Sequence, residues 1–161
     1  MIDVRVARSI EEKYDDLVEL AEQCVEETKI YGRICFDKKC QEWTIRDKCP
    51  KCGKRTREIM EESQLRNLQN LANATNSVKA LENFIWYQMG RHKEWCYNDF
   101  GKKLLEDIEK LRKWAKDIGI KIGRSHDEKE IYKIHLELIR LYLGFLVRAF
   151  YAKKRLEVKE I

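Results

Sequence analysis

The 161-residue sequence contains a single proline, Pro50, and lacks several segments that would assign it to a familiar class. Because proline inside a helix removes a hydrogen bond and clashes with the preceding turn, its scarcity allows long uninterrupted helices. The sequence does not open with an apolar run flanked by basic residues, so no secretory signal is predicted. In its most apolar segment the longest uncharged run is 141–147, far short of the roughly 18 residues of a membrane span. We therefore predict a soluble, cytoplasmic protein with no membrane partner.

The sequence also lacks the motifs that would indicate catalysis. It contains neither the G-x-x-x-x-G-K-S/T loop nor the G-x-G-x-x-G turn that bind nucleotide phosphates. Its three histidines, His92, His126 and His135, are scattered, and His135 falls at a core or boundary position of a helical pattern. Cys96 is an isolated thiol with an ordinary structural interpretation. We predict that the protein is not an enzyme and acts by binding.

Charge is distributed unevenly along the chain. Residues 1–32 carry four basic and nine acidic side chains, residues 33–57 carry nine and three, and the remainder carries twenty and sixteen. A basic body with an acidic first helix suits a partner that carries phosphates, although a surface rich in Lys and Glu also simply keeps a helical protein soluble. The cluster at 33–57 favours the phosphate partner.

Four cysteines lie within this basic segment with the spacing C-x4-C-x8-C-x2-C, namely Cys35, Cys40, Cys49 and Cys52. The last two belong to a C-P-K-C-G knuckle, in which Pro and Gly turn the backbone so that two thiolates meet one ion. Two disulfides or four unrelated thiols are the alternatives, and disulfides are disfavoured in the cytoplasm. We predict a structural zinc ion held by four thiolates, with a small ribbon hairpin around 42–45.

Apolar residues outside this segment recur at helical spacing and predict an all-α bundle of about five helices. The first helix begins at a Ser9-x-x-Glu12 capping box, continues to about Ile30 and is stopped by Gly32. Three further helices are predicted at about 56–72, 78–90 and 99–118, with a weak break at 73–77 that offers N-cap residues to the second and with Gly119 stopping the third. A fifth helix begins at a Ser125-x-x-Glu128 capping box. The final helix is apolar on nearly all sides, so it is central or packs against another molecule. We predict one domain over 1–161, with the zinc ribbon inserted at about 33–57.

One stretch, 63–91, has an unusual composition. It holds eight of the eleven Asn and Gln residues of the chain, with Arg66 and Arg91 near its two ends. Amides both donate and accept hydrogen bonds, so this stretch is either a binding surface for a polar partner or only a polar helix. Trp86 and Tyr87 could stack on bases, but their helical spacing favours the core.

Two short motifs in this stretch occur in a known order. Ser63-Gln-Leu-Arg-Asn67 is followed by Tyr87-Gln-Met-Gly-Arg91, and an aromatic-rich helix over 143–154 ends in lysines. With these features, residues 60–156 resemble the small subunit of type III-A CRISPR effector complexes, which serve antiviral defense. The chain has Glu62 where the family usually has Thr, and the N-terminal helix and cysteine ribbon are not general features of that family.

The resemblance implies a non-catalytic helical subunit that stacks in several copies beside the backbone and large subunits of the complex. It further implies that the subunit holds the guide RNA–target RNA duplex through its phosphates. Arg66 and Arg91 match the motif positions and are the predicted RNA contacts, and Lys79 and Lys93 are added for their proximity. A salt bridge from Arg66 to Glu62, four residues earlier, is the alternative structural role.

A second hypothesis assigns the function to the ribbon. In this interpretation the protein is a zinc-ribbon adaptor or regulator that binds protein or DNA through residues 33–57. The sequence leaves open whether the ribbon contacts RNA, docks a neighbouring subunit or only stabilises the fold.

Overall fold

The computed structural model describes residues 3–159, with side chains described to residue 157. In this part of the chain there are six α-helices, one 3-10 helix and three short strands: α1 Val4–Glu11, α2 Tyr14–Thr28, β1 Arg33–Cys35, β2 Trp43–Thr44, β3 Thr56–Glu58, α3 Glu62–Ala74, α4 Val78–Arg91, the 3-10 helix Lys93–Asp99, α5 Phe100–Lys121 and α6 Glu128–Lys159. The helical bundle is confirmed, but the fold is not strictly all-α, because the strands form a small antiparallel sheet in the order β2-β1-β3.

The long helix α6 lies at the centre of the bundle. It packs against α2, α3 and α5. Leu138, Tyr142, Leu146 and Phe150 are completely buried along its length. The apolar residues on nearly all sides of this segment are thus explained by packing within the chain. Within residues 3–159, none of the helices combines the length and the low charge that crossing a membrane requires.

The predicted first helix is in fact two helices. The carboxylate of Asp3 caps α1 by accepting the backbone N–H of Arg5 at 2.8 Å. Ser9 is buried inside α1 and Glu12 lies at its C-cap, so the Ser9-x-x-Glu12 capping box was wrong. The chain turns there before α2 begins at Tyr14. No glycine or proline marks this break, which is why the helical period alone missed it.

Two glycines have roles different from those predicted. α2 ends before the left-handed Lys29, and Gly32 is needed because a Cβ there would lie 2.3 Å from the Trp43 ring. Gly119 lies inside α5, where it packs closely against Ile131. The left-handed residue after α5 is Gly123, with φ of 74°.

The start of α6 also differs from the prediction. The Asp127 carboxylate accepts the backbone N–H of Glu130 at 3.1 Å, so Asp127 rather than Ser125 caps this helix. At the other predicted breaks the outcome is mixed. Ser77 caps α4 through the N–H of Ala80 at 3.0 Å, as the break near it predicted. The segment 56–58, predicted to begin a helix, is strand β3, and α3 begins only at Glu62.

Helices α3 and α4 form an antiparallel hairpin. Near the start of α3, the side chain of Gln64 donates to Glu94 at 2.8 Å and accepts from the indole N–H of Trp95. Both partners follow directly after the end of α4. The first turns of α3 and the last turn of α4 therefore lie at the same end of the hairpin.

Candidate metal centre and nucleic-acid interface

The structure brings the four predicted cysteines together. Their sulfur atoms all lie within 4.8 Å of one another, with 3.3 Å between Cys35 and Cys52 and 3.7 Å between Cys40 and Cys49. Disulfide sulfurs would be about 2.05 Å apart, so these thiols are not paired covalently. Four sulfurs at this spacing could hold one metal ion.

Two tight loops present these thiols. In the knuckle, the backbone N–H of Gly53 donates to the carbonyl of Cys49 at 2.8 Å, and Gly53 has a φ of 74° that other residues rarely adopt. In the loop of Cys40, the backbone N–H of that cysteine donates to the Asp37 carbonyl at 3.0 Å. The Asp37 carboxylate accepts the ammonium of Lys54 at 2.8 Å, which ties the two loops together.

Burial and backbone amides act in opposite directions on the thiols. Burial raises the pKa of Cys35 to about 12. The pKa of Cys49 falls to about 7 although burial alone would raise it, because the backbone N–H groups of Cys52 and Lys51 donate to its sulfur. Amides that favour the thiolate form at the knuckle suit a metal ligand, since the thiolate is the binding form.

One aromatic residue helps to anchor the ribbon to the helices. The indole N–H of Trp43 donates to the carbonyl of Lys29 at 2.9 Å, and its ring meets that of Tyr31 edge to face at 5.8 Å. The backbone N–H of Ile59 donates to the carbonyl of Gly32 at 3.1 Å, which joins the end of β3 to the start of β1. The predicted hairpin around 42–45 is instead one strand, β2, paired with β1.

The basic residues around the knuckle lie on the surface, and seven of them are exposed: Lys38, Lys39, Lys48, Lys51, Lys54, Arg55 and Arg57. A groove of about 360 Å³ separates the ribbon from the 3-10 helix. Lys38, Arg57 and Lys93 line it, together with Phe36, whose side chain is 59% exposed. Lys93, predicted to contact RNA, therefore belongs to this groove.

Arg66 is exposed on α3 and lies against α6. Its guanidinium donates to the hydroxyl of Tyr151 at 2.5 Å and lies 6.0 Å from the centre of that ring. The alternative pairing with Glu62 is not formed, because the Glu62 carboxylate lies near Lys154 and Arg155 instead. A neutral tyrosine thus holds this arginine in place without cancelling its charge.

Arg91, the last residue of α4, is held in the same way. Its guanidinium donates to the hydroxyl of Tyr87 at 2.7 Å and lies 5.9 Å from the centre of that ring. Residues four apart face each other on a helix, so this pair is visible in the sequence. The pair of Arg66 with Tyr151 spans 85 positions and has no local signal.

The weaker predicted contacts are placed apart from each other. Lys79 is exposed in the first turn of α4, at the opposite end of the hairpin from Arg91. The two positions are twelve residues apart in the helix, or about 18 Å along its axis. Lys93 is exposed in the 3-10 helix that follows α4. Arg66, Arg91 and Lys93 therefore lie toward one end of the hairpin, and Lys79 does not.

The amides of the stretch 63–91 divide into two groups. Gln64 makes the hairpin contacts described above, and Gln88 is 9% exposed on the inner side of α4. Gln69 is half-buried. The others are exposed: Asn67, Asn70, Asn73, Asn76 and Asn83. The amides of this stretch therefore include some that make contacts inside the protein and others that lie on its surface.

The prediction that Trp86 and Tyr87 are in the core was wrong. Trp86 is 61% exposed and Tyr87 is 54% exposed, whereas the buried side of α4 consists of Val78, Leu81 and Ile85 with Gln88. Trp86 and Tyr87 follow Ile85 by 100° and 200° around the helix, which carries both of them off the buried stripe. Trp95, in the next element, is the tryptophan that is completely buried.

The bundle buries one histidine, as predicted, and one thiol, that of Cys24. His135 is 1% exposed, and its Nε2 lies 2.8 Å from the carbonyl oxygen of Ile108. Burial lowers the pKa of His135. Cys24 is completely buried, and this burial raises the pKa of its thiol to about 12. Both groups belong to the packing of the bundle.

Comparison of the chain with protein-family models, with curated proteins and with solved structures found no match. The site must therefore be interpreted from its own geometry.

Proposed function

We propose that this protein is a non-catalytic, RNA-binding small subunit of a type III CRISPR effector complex. In this proposal several copies stack along the complex, beside its backbone and large subunits in the cytoplasm. They hold the guide RNA–target RNA duplex through its phosphates, with Arg66 and Arg91 as the principal contacts and Lys79 and Lys93 as lesser ones. The motif order in the sequence suggests the complex, and the state of the two arginines supports the RNA contact.

One observation carries the RNA contact. Within the described residues, neither Arg66 nor Arg91 lies within 4 Å of a carboxylate, and each instead donates to a tyrosine hydroxyl. Other arginines of the chain do pair with carboxylates: Arg5, Arg112, Arg124 and Arg155. A guanidinium that is held in position but not neutralised suits a phosphate, which it can bind through two parallel hydrogen bonds.

We propose that the ion of the cysteine cluster is zinc and that its role is structural. Zinc–thiolate bonds of about 2.3 Å in a tetrahedron require sulfurs about 3.8 Å apart. The separations of 3.3 Å and 3.7 Å between the two sulfur pairs support this ion. Four protein ligands leave no open position for a reacting water.

The test of the RNA contact is binding of a short RNA duplex by the full chain. We expect Arg66→Ala and Arg91→Ala each to weaken binding, because each removes one phosphate contact. Arg5→Ala is the matched control, since that arginine is exposed but paired with Asp3. This variant should bind the RNA duplex with the affinity of the wild-type chain. Equal affinity of both arginine variants and the unaltered protein would refute the proposal. Light scattering should in addition show larger particles when RNA is added, because copies stack along it.

A specific observation also supports the ribbon as a binding module for protein or DNA. The groove beside the ribbon combines the exposed Phe36 with Lys38 and Arg57. If this groove is the functional surface, Phe36→Ala together with Lys38→Ala should abolish partner binding, while Arg66→Ala and Arg91→Ala should leave it intact. The reverse result supports the small-subunit proposal.

A further inference from the structure

The exposed side of α4 has a composition that the phosphate contacts alone do not explain. One row of residues along it consists of Lys79, Asn83, Trp86 and Gly90, at spacings of four, three and four residues. All four are exposed. Residues at these spacings lie above one another on a helix, so the row is continuous.

A second row lies directly beside the first. It consists of Ala80, Tyr87 and Arg91, which are also exposed. Together the two rows contain every exposed residue of α4, and we call this surface the α4 face. The only carboxylate of α4, Glu82, is half-buried to one side and lies 3.9 Å from Arg112 on α5. The α4 face thus carries two cations, two aromatic rings and one amide, and no acidic residue.

Gly90 is unexpected in this position. It lies inside the last turn of a helix, where glycine is less favourable than alanine. A Cβ built on Gly90 would meet no atom within 4 Å, so packing within the described chain does not require a glycine. Trp86 lies one turn before it on the same row. The missing side chain leaves open space beside an exposed indole ring.

We propose that the α4 face binds unpaired nucleotides, whose bases stack on Trp86 and Tyr87 while Arg91 holds the adjacent phosphate. This inference rests on the proposed function and adds a ligand class to it. The charge of the face fits a phosphate-bearing partner, since its cations are unopposed by carboxylates. Stacking on aromatic rings requires the flat surface of a base, which a strand exposes only where it is not in a duplex. Gly90 allows a base to approach the helix beside the indole.

The test compares two probes of equal length and charge, a single-stranded RNA oligonucleotide and its abasic counterpart, on the full metal-loaded chain. Stacking contributes about 1–3 kcal/mol per base, which is a factor of about 5 to 150 in affinity. We expect Trp86→Ala to weaken binding of the RNA by a factor in this range and Trp86→Phe to retain most of it. The abasic probe should bind the wild-type chain and Trp86→Ala with equal affinity. Binding of the RNA should quench the indole fluorescence of the wild-type chain. In Trp86→Phe the RNA should cause no such quenching, because the indole that it contacts is absent.

Substitution of the exposed Trp86 should leave the fold intact, which unfolding by urea can verify. Gly90→Ala provides an independent variant, because it should stabilise α4 yet weaken binding of the single strand. Unchanged affinity of Trp86→Ala with weakened affinity of Arg91→Ala would overturn the stacking inference and leave the proposed function standing. Unchanged affinity of Trp86→Ala, Arg66→Ala and Arg91→Ala would overturn both. Loss of self-association in Trp86→Ala with unchanged RNA binding would show a protein interface and would also overturn the inference.

Discussion

The cysteine ribbon and the α4 face are both cationic, but their structures are stabilised in different ways. The ribbon consists of strands two or three residues long, and its four cysteines converge on a site that could hold an ion. The α4 face is one side of a 14-residue helix whose opposite side is packed in the bundle. We therefore expect the ribbon to need a ligand to fold, whereas the α4 face should be in place before any ligand binds.

This difference separates stability from binding. A substitution in the metal site should change the fold of the ribbon and leave the helices in place, because the core of the bundle comes largely from α2, α3, α5 and α6. Removal of an exposed side chain from the α4 face should change binding and leave stability almost unchanged.

The largest effect is expected for loss of the metal. Apparent binding free energies of structural zinc in finger peptides are about 10–16 kcal/mol at neutral pH. We expect Cys49→Ser to reduce the metal content from about one zinc per chain to well below one, measured by elemental analysis. The ribbon should then be cleaved by protease within 33–57 while the helical circular dichroism persists.

Cys96→Ser is the matched control for this experiment. Cys96 is an exposed thiol outside the cluster, so its variant should retain the metal and the protease resistance. A freshly purified wild-type chain with far less than one metal ion per chain would contradict the zinc assignment. Collapse of the helical signal together with the ribbon would contradict the separation between the two regions.

An intermediate effect on stability is expected when a buried tryptophan is replaced, and almost none when an exposed tryptophan is replaced. Trp95 is completely buried and bonded to Gln64, so Trp95→Ala should lower the free energy of unfolding by about 3–5 kcal/mol. Trp86→Ala should change it by less than about 0.5 kcal/mol, since that side chain is 61% exposed. Urea unfolding measures both. Comparable losses in the two variants would place Trp86 in the core after all.

The smallest effect is expected for the tyrosines that hold the two arginines. Tyr87→Phe and Tyr151→Phe each remove a hydroxyl that accepts a guanidinium N–H, but they preserve the ring and the positive charge. A hydrogen bond contributes about 0.5–1.5 kcal/mol net to stability. We expect RNA affinity to fall less in each of these variants than in the corresponding arginine variant. A loss as large as that of Arg→Ala would mean that the tyrosine, not the charge, makes the contact.

Features carried by local spacing could be predicted from the sequence. The convergence of the cysteines follows from their spacing and the turn at Gly53, and the cap at Ser77 follows from the break before it. The burial of Cys24 and His135 follows from helical periodicity. These features depend on residues close in the chain, where geometry is dictated by the helix or the turn.

Features that depend on tertiary contacts could not be predicted in the same way. The break between α1 and α2 occurs without glycine or proline, and strand β3 forms because Arg33–Cys35 is available to pair with it. The support of Arg66 comes from Tyr151, far along the chain. Trp86 and Tyr87 were assigned to the core from helical spacing, but the buried stripe of α4 passes through Leu81 and Ile85 instead.

The most direct test of the central claim is the salt dependence of RNA binding for the wild-type chain and for the double variant Arg66→Ala/Arg91→Ala. Each phosphate contact contributes about 0.7 to 0.9 to the slope of log affinity against log salt concentration. We predict that the double variant has a slope shallower by the amount of two such contacts, about 1.4 to 1.8. Identical slopes would show that neither arginine touches the RNA backbone and would contradict the account.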